Sequence, residues 1–259
     1  MQASDRSVRS QPRAYVLAAI AVLLVIAAVA LPPYAQPQGY HQFADRRGWL
    51  GMPNAGDVAS NAFFLLFAVI GLWTMRLPAV RAMNKAARDG YGLMFFGLLL
   101  TAFGSSYYHW APSDTRLVWD RLPMTVVFMP LLAATLAERL RWRSDVGLLV
   151  LTVWGVGTVV YWNYSGNLLP YLITQGGSIL LLLLSLILLP TPWSGRGWLL
   201  PALASYALAF ACEQLDSIVF KATGALVSGH TIKHIAAAFT FFFIIRMLRK
   251  QHLKTEIQQ

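Results

Sequence analysis

Apolar runs of about 20 residues recur along almost the whole chain, and they constrain its fold more than any other feature. Each run is long enough to cross a hydrocarbon core of about 30 Å as an α-helix. Charged residues make up only 12% of the chain, against about 25% in a typical soluble domain. The sequence therefore predicts an all-α, polytopic transmembrane helical bundle. Its expected spans are residues 15–31, 57–76, 91–109, 117–137, 146–162, 168–189, 197–220 and 229–247.

Lys and Arg residues are unevenly shared between the segments that join these spans. Most of them fall in residues 1–14, 76–90, 138–145, 190–196 and 246–259. Cytoplasmic segments of membrane proteins collect Lys and Arg, so both termini are predicted to be cytoplasmic, and in a bacterium the membrane would be the inner one. The net charge of +10 is therefore a signal of topology, and we expect no nucleic-acid partner.

The first span has two interpretations. Basic residues, an apolar run and the letters AVALPPYAQ are also typical of a secretory signal with a small-residue cleavage site. We favour an uncleaved helix because the run is long for a signal core. The predicted organisation is then a basic N-terminus, an extra helix and an external loop at 1–44, a seven-helix core at 45–248, and a basic cytoplasmic tail at 249–259.

Polar residues stand out at the predicted external ends of three spans. The stretch GSSYYHWAPSDTRLVWDRLPM places Ser105 and His109 at the end of the third span and Asp120 at the start of the fourth. The last span opens with SGHTIKHIAAA, which places His230 and His234 at the same end. Ionisable groups inside a membrane are rare because desolvating them costs free energy, and they usually mark functional sites.

The histidines have the spacing of a metal site. His230 and His234 are four residues apart, so their side chains project from one face of a helix, and His109 can supply a third nitrogen. Three His ligands with a position left open to water are typical of catalytic zinc. Asp120 could then take a proton from that water, and Ser105 could hydrogen-bond the water or a developing oxyanion.

Other interpretations of these polar groups stay open. Each histidine could be a satisfied interfacial group, Asp120 could form an ion pair with Arg121, and the Ser105 hydroxyl could bond a carbonyl of its own helix. A haem held by His109 and a histidine of the last span is a further alternative. The letters HTIKH lack the glutamate of His-Glu-x-x-His, so an intramembrane protease is not expected.

Two more acidic residues lie near the external end of the seventh span. Glu213 and Asp216 share a helix face and could orient a ligating imidazole from behind, as metal sites commonly require. Alternatively, they could form salt bridges with Arg121, Lys221 or Lys233. The sequence does not decide between these roles.

The same residues resemble the pattern of the alkaline ceramidase family: Ser105-x-x-x-His109, then Asp120 eleven residues on, then His230-x-x-x-His234 in the last span. That family belongs to a wider group of seven-helix membrane hydrolases that includes the adiponectin-receptor-like proteins. The stretches WDRLPM, SGHTIKHIAAA and GMPNAGDVASN resemble its bacterial branch. The resemblance covers the second to the eighth span, which makes the first span an extra N-terminal helix.

The resemblance implies a zinc ion held by His109, His230 and His234, with Asp120 activating a water and Ser105 steadying the oxyanion. It also implies hydrolysis of the amide bond of ceramide or a related N-acyl lipid that enters from the bilayer, giving a fatty acid and a free amine lipid. A zinc-containing lipid receptor or sensor without turnover is the alternative. Nothing in the residues distinguishes ceramide from another N-acyl lipid.

A calcium site is not expected here. Animal members of that family carry an acidic calcium-binding segment before their first core helix. The comparable letters FADRRGWLGMPNAGDVASN offer Asp45, Asn54 and Asp57, but Arg46 and Arg47 dilute the negative charge. Calcium prefers six to eight oxygen ligands, including several carboxylates.

Overall fold

The computed structural model describes residues 2–142, 144–191 and 193–251, and in these ranges the chain is helical with no β-strand. Its helices are α1 (Gln2–Ala30), α2 (Ala55–Ser60), α3 (Ala62–Thr74), α4 (Pro78–Arg81), α5 (Lys85–Trp110), α6 (Asp114–Leu140), α7 (Val146–Ser165), α8 (Leu169–Leu188), α9 (Leu199–Gln214), α10 (Asp216–Ala222) and α11 (Gly229–Lys250). The predicted basic tail at 249–259 lies mostly outside the described residues.

Most of these helices have the length and composition of membrane spans. Among the described residues, six stretches qualify, in α1, α2 with α3, α6, α7, α8 and α11, and the bent pair of α9 and α10 adds a seventh. The α5 helix is not among them because its second half carries Ser, Tyr and His, although its 26 residues would extend about 39 Å. The predicted all-α, polytopic membrane bundle is confirmed.

The helices differ in how deeply they are buried. In α6, 61% of the apolar window is buried inside the protein, whereas in α1 the share is 11%. The α1 helix packs against α8, where Leu24 lies over Gly177. α6 is therefore central, and α1 is an extra helix on the outside of the bundle.

The candidate site lies at one end of the bundle, which we call the site end, where α5 ends and α6 and α11 begin. Residues 31–54 fold over this end. His41 contacts the Tyr108 hydroxyl through Nδ1 at 2.8 Å and the Asp114 carboxylate through Nε2 at 3.1 Å. The segment between α1 and α2 is therefore tied to α5 and α6, two of the three helices that begin or end at the site.

The start of α1 and the end of α11 lie at the other end. Arg13 of α1 donates a hydrogen bond to the carbonyl of Leu188, the last residue of α8. Gly195 lies against the backbone of Lys250, the last residue of α11. Arg13 of α1 and the end of α11 therefore lie at the same end of the bundle, and the location of the termini stays a prediction.

The predicted span at 197–220 is not one continuous helix. The α9 and α10 helices meet at Leu215 with a bend of 86°. Neither Pro nor Gly causes this bend. It places the Asp216 carboxylate where it accepts hydrogen bonds from the backbone N–H groups of Ala44 and His230, both at 2.8 Å. These bonds satisfy donors of two other segments and stabilise the bent geometry.

Glycines allow α5 and α6 to touch backbone to backbone. Gly90, Gly97 and Gly104 are seven residues apart, which places them on one face of α5. A Cβ at Gly97 would lie 2.6 Å from the carbonyl oxygen of Val126, and one at Gly104 would lie 2.0 Å from that of Trp119. No other residue fits at these distances, so the glycines fix the register of the two helices.

Candidate metal centre

Three histidines form a buried cluster at the site end. His109 ends α5, and His230 and His234 occupy the first two turns of α11. Their candidate ligand atoms all lie within 4.8 Å of one another, and within the described ranges this is the only such group of His, Cys, Asp or Glu. The predicted convergence of the three histidines is confirmed.

The geometry of the cluster suits a tetrahedral metal ion. The Nε2 atoms of His109 and His230 lie 3.3 Å apart. Zinc–nitrogen distances of about 2.0–2.1 Å in a tetrahedron require nitrogen atoms about 3.4 Å apart. At this distance two neutral imidazoles can form at most one N–H···N hydrogen bond with each other. A metal ion between them can instead accept the lone pairs of both nitrogen atoms. The residues therefore fit a metal ion.

Hydrogen bonds fix the orientation and the protonation of His234. Its Nδ1 lies 2.8 Å from the Ser60 hydroxyl oxygen and 3.1 Å from the carbonyl oxygen of Asp57. A carbonyl oxygen can only accept, so Nδ1 carries the proton and donates it. The lone pair of His234 is then on Nε2, which is the tautomer that a metal ligand bonded through Nε2 needs.

His230 and His109 are held by hydrogen bonds to their backbone groups. Asp216 accepts from the backbone N–H of His230, and the Asn54 amide donates to the backbone carbonyl of His109 at 2.8 Å. The Phe43 ring covers the cluster, with its centroid 4.8 Å from that of His109 and 4.4 Å from that of His230. Nδ1 of His109 is buried without a hydrogen-bond partner.

A cavity of about 330 Å³ extends from the cluster into the bundle, and His234 lines it. Ser105 and Asp120 also line this cavity, and the Ser105 side chain lies next to the Asp120 carboxylate. The pair forms because Gly104 and Trp119, the residues just before each partner, are in backbone contact. The structure thus brings both predicted catalytic residues to the cavity beside a predicted metal ligand.

Glu213 and Asp216 have different surroundings. Glu213 forms an ion pair with Lys233 on the cavity wall, which is one of the two alternatives that the sequence left open. Asp216 contacts the ligand His230 through its backbone N–H and not through the ring. Neither carboxylate orients an imidazole ring directly.

The acidic residues at 45 and 57 have different partners. Asp45 accepts hydrogen bonds from the Arg47 guanidinium at 2.7 and 2.8 Å, and these bonds lower the pKa of the Asp45 carboxyl. Asp57 accepts from the Thr231 hydroxyl at 2.7 Å. Arg47 thus pairs with one of these carboxylates, and the absence of a calcium site stays a prediction.

Sequence reasoning missed the residues behind His234. Asp57 was considered only as a calcium ligand, and Ser60 was given no role. Both precede a strongly apolar helix in the letters GDVASN, and Asp57 is 1% exposed. A carboxylate and a hydroxyl at the start of an apolar span were the available signal, but only the fold shows that the Ser60 hydroxyl and the backbone carbonyl of Asp57 face His234.

Together, the fold and the site define a helical membrane protein with a buried three-histidine cluster that can hold a metal ion. Comparisons of the chain with protein-family models, with curated proteins and with solved structures gave no match. The resemblance to alkaline ceramidases therefore stays a prediction, carried by the residues of the site.

Proposed function

We propose that the protein is a zinc-dependent amidase that hydrolyses an N-acyl lipid, with ceramide or a related lipid amide as substrate. The observation that supports this most is the position of the Ser105–Asp120 pair on the wall of the cavity that His234 also lines. A metal site with a purely structural role needs no proton acceptor nearby, whereas a hydrolytic site needs one for the proton of the attacking water.

The reaction adds water across the amide bond. The C–N bond breaks, the oxygen and one proton of the water end up in the fatty acid, and the other proton joins the amine nitrogen. A bound zinc ion supplies Lewis-acid polarisation and lowers the pKa of a water molecule at the open position. Asp120 accepts the proton of the attacking water and passes it to the leaving amine.

Ser105 has two tasks in this proposal. Its hydroxyl holds the Asp120 carboxylate before the substrate binds, and it then donates to the carbonyl oxygen of the substrate as negative charge develops there. Its 2% exposure keeps bulk water from competing for that hydrogen bond. Removing one oxyanion donor typically lowers kcat by about 100-fold or more.

The lining of the cavity favours a substrate with a long apolar part. Beyond the polar groups near His234, its walls include Leu98, Met124, Val127, Phe128 and Ile179. Apolar walls give affinity for acyl chains, and the few polar groups set the position of the reacting bond. The site would face the external side of the membrane if the topology predicted from the Lys and Arg residues is correct.

Zinc content tests the metal site. Elemental analysis of the detergent-purified protein should find about one zinc per chain, and the His230→Ala/His234→Ala double variant should lose it. Ser185→Ala is the control, since the Ser185 hydroxyl donates to the Leu182 carbonyl within α8, away from the cluster, and it should keep the metal. A folded wild-type protein without any bound metal would rule out this mechanism.

Turnover tests the enzyme against the sensor. With zinc retained, Asp120→Asn should lower hydrolysis of a fluorescent N-acyl lipid by at least about 100-fold, because it removes the proton acceptor. Unchanged turnover in this variant would exclude the proposed role of Asp120. Binding of the lipid with no turnover in either protein would favour the receptor or sensor.

A further inference from the structure

Arg121 is a buried cation without an acidic partner. Its side chain lines the cavity next to Asp120, and the residue is only 4% exposed. Its Nη1 atom is buried with no hydrogen-bond partner. It forms no ion pair with any residue of the described ranges. The guanidinium donates no hydrogen bond to a described residue, so its N–H groups at the cavity wall are left for a ligand.

Three aromatic rings enclose this guanidinium. Its central carbon lies 4.5 Å from the ring centroid of Trp162 and 5.1 Å from those of Tyr40 and Tyr171. The rings come from the loop before α2, from α7 and from α8. Cation–π contacts stabilise a positive charge without neutralising it. The charge of Arg121 is therefore held in place and still available.

The cavity wall carries two carboxylates and two Lys or Arg cations, and they are not paired alike. Glu213 forms an ion pair with Lys233. Asp120 and Arg121 form no salt bridge within the described residues, so the guanidinium of Arg121 keeps N–H donors for a ligand, although the charge of Asp120 acts on it. Asp120 and Arg121 line the same cavity, so a group bound to Arg121 occupies the cavity in which the proposed reaction takes place.

We propose that Arg121 binds an anionic group on the amine part of the substrate. This inference rests on the proposed amidase function and narrows its substrate class to N-acyl lipids that carry a carboxylate or a phosphate close to the amide nitrogen. The planar guanidinium matches both anions through paired N–H···O bonds. Tyr40 and Tyr171 add hydroxyl groups to the same cavity wall.

A set of three substrates with one acyl chain tests the proposal. N-oleoylglycine carries a carboxylate, N-oleoyl-phosphoethanolamine a phosphate, and N-oleoylethanolamine no charge. The zinc-loaded wild-type protein should hydrolyse at least one anionic substrate with a kcat/KM ten or more times that of the neutral one. The better anion identifies the head group, and a preference for the neutral substrate would overturn the proposal.

Variants of Arg121 separate anion binding from packing. Arg121→Gln should lower kcat/KM for the preferred anionic substrate by at least tenfold and change that for the neutral substrate by less than threefold. Arg121→Lys keeps the charge and should retain part of the preference, even if the Gln variant folds poorly. Arg116→Gln, five residues earlier in α6 and outside the cavity, should leave kcat/KM unchanged for both the anionic and the neutral substrate. Equal losses on all three substrates would show that Arg121 is only structural.

Binding to the metal-free protein distinguishes this inference from the proposed function. Calorimetry should show that dodecyl phosphate and laurate bind to wild-type protein from which the metal has been removed by a chelator. For the anion that binds more tightly, Arg121→Gln should raise the dissociation constant at least tenfold more than it does for uncharged dodecanol. If no amide is hydrolysed but this difference holds, the amidase proposal fails and the anion site stands. If hydrolysis occurs but the variant binds both anions as the wild type does, the anion site fails alone.

Discussion

His109 and His234 are both buried members of one histidine cluster, yet the structure positions them in different ways. The ring of His234 is held by the Ser60 hydroxyl and the Asp57 carbonyl, and its tautomer follows from those contacts. The ring of His109 has no hydrogen-bond partner at Nδ1. Its position depends on its backbone, on Phe43 and on the contact between α5 and α6.

The comparison shows that one half of the site depends on packing and the other on hydrogen bonds. Backbone contact at Gly104 sets the register of α5 against α6, and a side chain there displaces everything beyond it. A lost hydrogen bond behind His234 leaves the helices in place and only loosens one ring. Changes in the packed half should therefore abolish the site, and changes in the hydrogen-bonded half should weaken it.

The largest effect is expected at Gly104. In Gly104→Ala, the new Cβ would lie 2.0 Å from the Trp119 carbonyl oxygen, which is backbone and cannot rotate away. Overpacking of this kind costs about 3 kcal/mol or more, so we expect a clear fall in Tm together with loss of metal binding. Thermal melting in detergent and elemental analysis measure the two effects.

Gly92 provides the matched control in the same helix. A Cβ at Gly92 meets no atom within 4 Å, so Gly92→Ala should stabilise α5 by up to about 1 kcal/mol through helix propensity. It should keep the metal. If both variants behaved alike, the backbone contact between α5 and α6 would not be what positions Ser105 and His109.

An intermediate effect is expected at Ser60. Ser60→Ala removes the hydroxyl beside Nδ1 of His234 and leaves only the Asp57 carbonyl as acceptor. Loss of such a contact behind a metal ligand typically lowers metal affinity by about 10- to 100-fold. Competition with a zinc-binding dye should show this decrease, while Tm without metal changes little.

Ser185→Ala is the control for that measurement. Ser185 is also fully buried, but its hydroxyl donates to the Leu182 carbonyl within α8, away from the site. The zinc affinity of the Ser185→Ala variant should equal that of the wild type. Equal affinities in all three proteins would mean that the hydrogen bonds behind His234 do not tune the site.

The smallest effect is expected in the loop before α2, and it depends on pH. The Arg47 side chain lowers the pKa of Asp45 below its ordinary value of 3.8, so the ionised form stabilises the folded loop. This contribution is fully present above that pH and is lost as the pH falls through the lowered pKa. Because Arg47 is largely exposed, Asp45→Asn should lower Tm by only a few degrees at pH 6.

The same variant should converge with the wild type in acid. Once Asp45 is protonated, both proteins lack the ion pair, so their melting curves should approach each other below about pH 3.8. A difference that stays constant with pH would mean that the asparagine disturbs the loop by its shape. The metal site should be unaffected at neutral pH.

The sequence predicted the bundle well because apolar length is a local property. Runs of about 20 apolar residues gave the spans, and the histidine spacing gave the shared face of α11. The bend at Leu215 was missed, since it lacks Pro and Gly and depends on bonds from the distant Ala44 and His230 to Asp216. Such a bend has no signature in its own segment.

The site was predicted in part for a similar reason. His109, His230 and His234 could be grouped because each stands at the end of a span on one predicted side. The partners of Glu213 and the role of Ser60 could not be assigned, because they depend on how α2, α9 and α11 rotate about their axes. The sequence also could not show that aromatic rings from three segments enclose Arg121, because those segments are far apart along the chain.

Phe43 has a consequence for how the site exchanges its metal. Its ring is 7% exposed and lies over both His109 and His230, so an ion leaving at this end must first displace the loop. A chelator that approaches from this end would then reach the ion only while the loop is open. Metal exchange on this side would depend on loop motion as well as on the strength of the metal–nitrogen bonds.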